Sequence, residues 1–163
     1  MRKLRSKIKK PRTPWDKERI DKERQLMKTY GLRRKKEIWK AESTLRSFRR
    51  RARDLAAKKD KIQEKILLDK LQKLGLLNKD ATLDDVLSLT IEKLLDRRLQ
   101  TFVLKNNLAN TPKQARQLIT HGHISVDDRK IVYPGFNVTQ DLEKKISFYG
   151  ESPIKIAKPK TSS

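Results

Sequence analysis

Positive charge constrains this sequence more than any other feature. The 42 Lys and Arg residues outnumber the 20 Asp and Glu residues, which gives a formal net charge of +22. A chain with this excess is expected beside a polyanion, and nucleic acid is the first candidate. Because 38% of the residues are charged and 35% are hydrophobic, the chain can bury one modest core but cannot fold its whole length around it. Segments that become ordered only on a partner are therefore expected.

Several classes of protein do not fit the sequence. An anionic membrane surface would also attract a basic chain, but the long predicted helices lack a broad apolar face opposite their charges. The sequence contains no cysteine, so disulfides and thiolate zinc sites are excluded, and His121 and His123 cannot complete a tetrahedral metal site alone. No apolar run predicts secretion or membrane spanning. We expect a soluble intracellular protein without a metal or cofactor.

The positive charge is concentrated in the N-terminal third of the chain. Residues 1–60 hold 24 Lys and Arg residues against 8 Asp and Glu residues, a net charge of +16. Residues 1–14 form a basic arm with too little apolar content to fold alone, and we expect phosphates to order it. The alternative is a solvated tail that keeps the protein soluble. At the other end, residues 151–163 are expected to form a flexible extension.

Residues 15–92 predict a helical N-terminal domain. Apolar residues recur at helical spacing in four segments: 16–30, 33–58, 60–74 and 82–89. Glycine follows the first and third segments, at Gly31 and Gly75, where a left-handed C-cap would lie. The third helix is expected to turn five apolar residues into the core: Ile62, Ile66, Leu67, Leu71 and Leu74.

The second of these helices carries two different stripes. One is apolar and is expected to pack against the rest of the domain: Ile38, Leu45, Phe48, Ala52 and Leu55. The other consists of arginines three and four residues apart: Arg46, Arg49, Arg50 and Arg53. No acidic residue stands between the first and last of these arginines, so we expect their guanidinium groups to face outward and contact phosphates. The alternative is a solvated charged face.

Residues 93–150 predict a compact module of two helices packed on a short antiparallel sheet. The first helix is predicted over residues 90–106. The second opens at Thr111, a typical N-cap that is followed by proline, and ends at Gly122. Three strands joined by turns follow, at residues 123–126, 130–132 and 136–138. The predicted fold class is therefore α+β, a mainly helical N-terminal domain with a basic arm followed by this module.

The start of the second module helix is suited to anions. Helix N-termini present unpaired backbone amides and the positive end of the helix dipole. Three polar side chains project from the first turns of this helix: Lys113, Arg116 and Gln117. The module therefore predicts contact with phosphates at this helix start.

Four motifs stand out in the module: Arg97-Arg98-Leu99-Gln100-Thr101, Leu108-Ala109-Asn110-Thr111-Pro112-Lys113-Gln114-Ala115-Arg116-Gln117-Leu118-Ile119, His121-Gly122-His123-Ile124-Ser125-Val126 and Pro134-Gly135-Phe136-Asn137-Val138. Together they resemble the S-four RNA-binding domain. The same domain occurs in pseudouridine synthases, tyrosyl-tRNA synthetases and heat-shock RNA-binding proteins, so alone it implies only structured RNA.

Three further motifs lie upstream of the module: Thr13-Pro14-Trp15-Asp16-Lys17-Glu18-Arg19, Tyr30-Gly31-Leu32-Arg33 and Lys36-Glu37-Ile38-Trp39-Lys40-Ala41-Glu42. They are similar to the N-terminal domain of the ribosomal protein S-four family, in its archaeal and eukaryotic branch, which implies that the helical domain of residues 15–92 binds rRNA. The resemblance covers nearly the whole chain, up to about Gly150. It implies a structural component of the small ribosomal subunit that binds the five-prime domain of its rRNA early in assembly, at a multi-helix junction.

The resemblance also implies a location and partners. The chain would lie in cytoplasmic ribosomes beside neighbouring proteins such as ribosomal protein S-five, line the messenger RNA entry channel and influence decoding accuracy. The module positions that would face RNA are Arg98, Thr111, Lys113, Arg116, Gln117, His121, Gly122, His123 and Lys130. Several bacterial members carry an N-terminal cysteine cluster for zinc or an iron–sulfur centre. This sequence lacks it, so packing and RNA must hold its N-terminal domain.

Quieter interpretations stay open at several of these positions. His121 and His123 suit either RNA contacts or local hydrogen bonds in a turn. Trp15 and Trp39 suit either core packing or stacking on bases. An enzyme is not expected, because the sequence has no glycine-rich phosphate loop or evident carboxylate pair, and the assigned helices leave no room for a catalytic domain. A free factor that binds stalled ribosomal particles is a third class of function.

Overall fold

The computed structural model describes residues 8–78 and 80–150, and within them the protein is mainly helical with one small sheet. Four helices come first: α1 Lys17–Tyr30, α2 Lys35–Lys58, α3 Lys61–Lys73 and α4 Leu83–Ser88. Three more helices follow: α5 Ile91–Asp96, α6 Leu99–Lys105 and α7 Pro112–Thr120. The strands are β1 Ile124–Val126, β2 Arg129–Lys130 and β3 Ile146–Phe148, with a 3-10 helix at Gln140–Lys145 before β3. The predicted α+β class is confirmed.

The predicted helix boundaries depend on caps that the structure contains. The Asp16 side chain accepts a hydrogen bond from the Arg19 backbone amide at the start of α1, and Asp60 accepts two at the start of α3. Gly31 and Gly75 both have positive φ, 59° and 67°, as left-handed helix termination requires. The first half of the chain therefore follows its local sequence signals closely.

Two large apolar clusters organise the described residues. One lies between α2, α3 and α4 and includes Leu45, Phe48 and Leu71. The other is the core of the module, where α6 and α7 pack on the sheet around Leu99, Ile119, Ile124 and other buried residues. A small third cluster of Leu32, Ile38 and Leu95 joins α2 to α5. The division of the chain at residues 92 and 93 stays a prediction. The predictions for residues 1–7 and 151–163 lie outside the described residues.

The single helix predicted over residues 90–106 is wrong, because the structure forms α5 and α6 with a break between them. Arg98 has an extended backbone, with φ −79° and ψ 143°. The backbone around it pairs with a distant segment: the Val138 amide donates to the Arg97 carbonyl and the Leu99 amide donates to the Phe136 carbonyl, each at 2.8 Å. These long-range hydrogen bonds replace the helical ones at the break, so the local apolar spacing did not decide the structure.

The sheet contains three antiparallel strands in the order β2, β1, β3. The first hairpin was predicted, but its second strand forms at Arg129–Lys130 and not over the predicted residues 130–132. The Asp127-Asp128 turn has positive φ at both residues, as a type I′ hairpin turn requires. The third strand was predicted at residues 136–138, and that prediction is wrong. Asn137 instead forms an isolated bridge with Arg98, and the position beside β1 is taken by β3, with Ser125 opposite Ser147.

The predicted inward orientation of Ile62 and Ile66 is also wrong. Their exposed fractions are 76% and 63%, whereas Leu67 and Leu71 are buried. Successive residues of an α-helix are rotated by about 100°, so Ile66 lies more than a quarter turn from Leu67. Because α3 packs mainly against α2, it buries only one narrow stripe and leaves the two isoleucines in solvent.

Candidate nucleic-acid interface

Three of the four arginines of the α2 stripe project into solvent. Arg46 and Arg50 have exposed side-chain fractions of 57% and 80%, and each forms an ion pair within the helix, with Glu42 at 3.1 Å and with Asp54 at 3.7 Å. Arg53 is exposed. Exposed ion pairs of this kind contribute little to stability. These guanidinium groups can therefore exchange their carboxylate partners for phosphates at small cost.

Arg49 departs from the expected outward stripe. Its Nη2 donates a hydrogen bond of 2.6 Å to the carbonyl of Leu89, just after α4, so the half-buried side chain ties α2 to that loop. The helical geometry explains the difference, because Arg49 lies on the edge of the arginine stripe nearest to the apolar residue Leu45. Its predicted role in RNA binding stays untested, but the visible role of this side chain is structural.

The start of α7 has the geometry expected of an anion-binding helix terminus. Thr111 is the N-cap, and its side chain accepts a hydrogen bond of 3.2 Å from the Gln114 amide. Pro112 occupies the first turn, and Lys113 and Gln117 are exposed beside it. The two exposed side chains therefore remain available to an external partner, while the Thr111 hydroxyl is used by the cap.

The end of α7 brings together four of the predicted positions. The His121 and His123 rings stack with centroids 6.2 Å apart. Gly122 has a φ of +79°, and a Cβ at this position would collide with the Lys130 side chain that crosses over it. The Lys130 ammonium lies 5.8 Å from the centre of the Tyr149 ring. Gly122 therefore serves backbone geometry and close packing, while His121 and Lys130 remain exposed.

Arg98 and Arg116 converge on one carboxylate, that of Glu37 in the first turn of α2. Arg98 Nη2 lies 2.6 Å from Oε2, and Arg116 binds both oxygens through its two terminal nitrogens, at 3.1 and 3.3 Å. The three side chains are 11%, 24% and 19% exposed for Arg98, Arg116 and Glu37. We call this group the Glu37 latch, because it joins α2 to both helices of the module.

The latch keeps Glu37 ionised. Burial opposes the charged form, but hydrogen bonds from Arg116 and Arg98, together with their positive charges, hold the pKa of Glu37 below its ordinary value. The carboxylate also lies 3.3 and 3.4 Å from the backbone amides of Arg33 and Arg34, in the manner of a capping box. One side chain thus caps α2 and neutralises two guanidinium groups.

Gln100 reinforces the same junction from within. Its side chain is buried, and Nε2 lies 3.0 Å from the Tyr30 carbonyl, 3.2 Å from that of Gly31 and 2.8 Å from that of Pro112. Gly31 fits tightly against α7, since a Cβ on it would lie 2.7 Å from the Cβ of Pro112. The corner between α1 and α2 is therefore fixed on the start of α7.

A second buried carboxylate holds α1 against α2. Glu23 is 3% exposed and lies 2.8 Å from Arg19, 2.9 Å from the Trp39 indole nitrogen and 3.1 Å from Lys35. Burial opposes its ionisation, but the hydrogen bonds from Trp39 and Lys35, and the charges of Lys35 and Arg19, lower its pKa. The Trp39 indole is half-buried and its nitrogen is used by this hydrogen bond to Glu23.

Sequence reasoning gave no role to Glu37, Gln100 or Glu23. Each of these residues makes several hydrogen bonds or ion pairs at once, and each has partners that are distant along the chain. The sequence offered one usable signal: Glu37 lies in the first turns of the helix predicted over residues 33–58, where a glutamate commonly completes a cap. Its partnership with the two module arginines had no local signature.

Comparisons with known proteins agree with the geometry. Residues 97–143 match the family model described as S4 domain. The small ribosomal subunit protein uS4 of Picrophilus torridus is 52% identical to this chain over 156 residues, covering 92% of this chain and 85% of that protein. The chain belongs to the uS4 family. The uS4 protein of Saccharolobus solfataricus is 50% identical over 97% of this chain and 90% of its own length. That of Thermoplasma volcanium is also 50% identical, over 88% and 75%.

Two further observations concern only residues 8–78 and 80–150 of this uS4 family member. No helix there is both long and apolar enough to cross a membrane. No group of three or more carboxylate or imidazole side chains in the same ranges is placed to hold a metal ion.

Proposed function

We propose that this chain is a non-enzymatic structural component of the small ribosomal subunit, and that it works by binding the rRNA of that subunit in the cytoplasm. Family membership supports this assignment, since each of the three relatives described above is a small ribosomal subunit protein. The formal charge of +22 supplies the electrostatic attraction that any rRNA contact needs.

The observation that carries the proposal is the placement of two cationic surfaces on one joined body. One is the α2 surface, consisting of Arg46, Arg50 and Arg53, and the other is the α7 surface, consisting of Lys113, Gln117, His121 and Lys130. The Glu37 latch connects α2 to α7. Arg46 follows Glu37 by nine residues, about two and a half helical turns, so the α2 surface faces away from the latch.

Phosphate contacts on two different sides of α2 suit a folded RNA better than a single duplex. A duplex would touch one side of the protein, whereas a junction of several helices can enclose it. We therefore infer that the target is a multi-helix junction. The resemblance to the S-four family implies that this junction lies in the five-prime domain and is bound early in assembly. In this scheme Arg98, Arg116 and Arg49 act mainly by holding the binding surfaces in place, while Thr111 and Gly122 shape α7 and His123 stacks beneath His121.

Finer roles follow from the same assignment and belong to the proposal. They are contact with neighbouring proteins such as ribosomal protein S-five, a position beside messenger RNA at its entry channel, and an influence on decoding accuracy. Each of these roles involves contacts with other molecules of the subunit, so each has to be tested in the intact subunit.

Co-sedimentation tests the assignment. Small subunits should retain the protein through a high-salt wash in stoichiometric amount, because a structural component is enclosed by rRNA as well as attracted to it. Release into the soluble fraction at moderate salt would instead indicate a free factor that visits ribosomal particles. A matched variant, in which Arg46, Arg50 and Arg53 are all replaced by Gln, should be incorporated less efficiently while keeping the same helical content.

A further inference from the structure

Trp15 is the most exposed large hydrophobic side chain among the described residues. Its exposed fraction is 90%, compared with 71% for Tyr133, the next most exposed aromatic residue. A tryptophan that packs in a core typically buries 150–250 Å², and this indole forgoes nearly all of that burial. The core interpretation of Trp15 is therefore wrong, and its position calls for an external partner.

The backbone that carries Trp15 is held firmly although its ring is not. Arg19 Nη2 donates hydrogen bonds to the carbonyls of Thr13 and Pro14, at 2.8 and 3.0 Å. The same guanidinium binds buried Glu23 through Nη1 at 2.8 Å. On the other side of Trp15, Asp16 caps α1. Because its anchor points are already fixed, the indole loses little conformational freedom when a partner binds it.

The surroundings of Trp15 are polar and cationic. Lys9, Lys10, Arg12 and Lys17 are all exposed in the same segment. Residues Arg12, Thr13, Pro14 and Asp16 line a shallow cleft together with Trp15. An aromatic anchor in a protein interface is normally enclosed by other well-packed residues. An aromatic ring surrounded by positive charge is instead the arrangement with which proteins bind single-stranded nucleic acid, stacking on bases and contacting the backbone.

We propose that Trp15 is a stacking platform for an unpaired RNA base, with the phosphates next to that base drawn to Arg12 and the neighbouring lysines. This inference rests on the proposed rRNA binding and adds a site to it, since the α2 and α7 surfaces are proposed to bind mainly phosphates. The target is a bulged or looped nucleotide, because a base inside a duplex presents no face for stacking.

The test combines affinity and fluorescence on the full chain with naked small-subunit rRNA. Trp15→Ala should weaken binding by about 5- to 100-fold at fixed salt, the range expected for loss of one stacked base. Trp15→Phe keeps a smaller ring and should recover most of the affinity, whereas Trp15→Leu keeps apolar area without a ring and should not. Ile62→Ala removes a comparably exposed apolar side chain from α3 and serves as the control, with unchanged affinity.

Fluorescence reports the same contact directly. The rRNA should quench the wild-type emission strongly, and Trp15→Phe, which retains only Trp39, should be quenched much less. Thermal unfolding should be unaltered in all Trp15 variants, because the indole packs on almost nothing.

The outcomes separate this inference from the proposed function. Wild-type affinity in Trp15→Ala, or equal affinities for the Phe and Leu variants, would overturn the stacking site and leave rRNA binding intact. Quenching that appears only when other ribosomal proteins are added would also overturn it, and would assign Trp15 to a protein contact. Failure of the wild-type chain to bind small-subunit rRNA would overturn both proposals.

Discussion

Replacing Glu37 by Gln separates the Glu37 latch from a simple electrostatic account of RNA binding. Removal of a negative charge from a protein that binds RNA should, by charge alone, tighten the complex. The structure leads to the opposite expectation. Without the carboxylate, Arg98 and Arg116 face each other in a largely buried site with no counter-charge, and the contact between α2 and the module weakens.

The magnitude follows from the contacts. Arg98 and Arg116 make three charge-assisted hydrogen bonds to Glu37, at 2.6, 3.1 and 3.3 Å. Removing one partner of a fully buried pair costs about 3–5 kcal/mol. The exposures of 11% to 24% reduce this, so we expect the free energy of unfolding to fall by about 2–4 kcal/mol. For a chain of this size the midpoint of thermal unfolding should fall by roughly 4–16 °C.

The assay measures both stability and affinity. Circular dichroism gives the unfolding midpoint, and binding to small-subunit rRNA at fixed salt, well below that midpoint, gives the affinity. Asp69→Asn on α3 is the control, because it removes the same charge from an exposed position. The control should bind as tightly as the wild type or slightly more tightly, while Glu37→Gln should bind more weakly.

A second variant guards against a trivial result. Combining Glu37→Gln with Arg116→Gln removes both charges and leaves amides of similar shape, so the double variant should lose less stability than the two single variants added together. The reasoning would be refuted if Glu37→Gln unfolded at the wild-type midpoint and bound RNA more tightly, as its control does. Strict additivity in the double variant would also contradict a direct ionic contact.

Three further predictions follow from individual contacts. Arg49→Gln should lower the free energy of unfolding by about 1–2 kcal/mol without changing the slope of log affinity against log salt. Arg53→Gln should instead reduce that slope by about one unit at unchanged stability. The reverse pattern would mean that Arg49 contacts phosphate and Arg53 holds the fold. Gly31→Ala should destabilise by about 2–4 kcal/mol in chemical denaturation, since it meets both positive φ and a close backbone, and a neutral effect would contradict the tight junction. Folding lowers the pKa values of Glu23 and Glu37. Their contribution to stability is therefore present above the ordinary pKa of 4.5 and is lost as pH falls through the lower folded-state values. Over that acidic range the unfolding midpoint of the wild type should drop, and it should drop less in variants that lack these carboxylates.

Local structure was predictable from the sequence where caps and periodicity agree. Gly31 and Asp60 mark helix ends that the structure reproduces, and the Asp127-Asp128 turn appears where two adjacent turn residues separate alternating strands. These signals act over a few residues, so a single sequence contains all the information they need. The α+β class follows from them.

The misses all come from contacts between distant residues. The helix break at Arg98 exists because its backbone pairs with Asn137. The third strand of the sheet is β3 and not residues 136–138, since β3 is the segment that pairs with β1. Ile62 and Ile66 were misassigned because helical spacing shows that residues share a face and not whether a neighbour covers that face. Tertiary context decided each case.

The candidate site shows the same division. Exposure at Arg46, Arg50 and Arg53 follows from their shared helical face. The contacts of Arg98 and Arg116 do not follow from the sequence. The family resemblance placed both arginines on RNA, but their partner Glu37 is more than sixty residues away along the chain from either arginine. A basic residue identified from sequence can thus bind the ligand or hold the binding surface, and only the fold distinguishes the two.

The most direct test of rRNA binding is competition between small- and large-subunit rRNA for the purified protein at physiological salt. Both RNAs carry the same phosphate charge per nucleotide, so at equal nucleotide concentrations a basic chain that binds by attraction alone would not distinguish them. We predict a preference for small-subunit rRNA of at least about 1,000-fold, the lower end for specific nucleic-acid recognition, with protection from cleavage confined to one junction. Equal affinity for the two RNAs, with protection scattered along both, would contradict the proposed function.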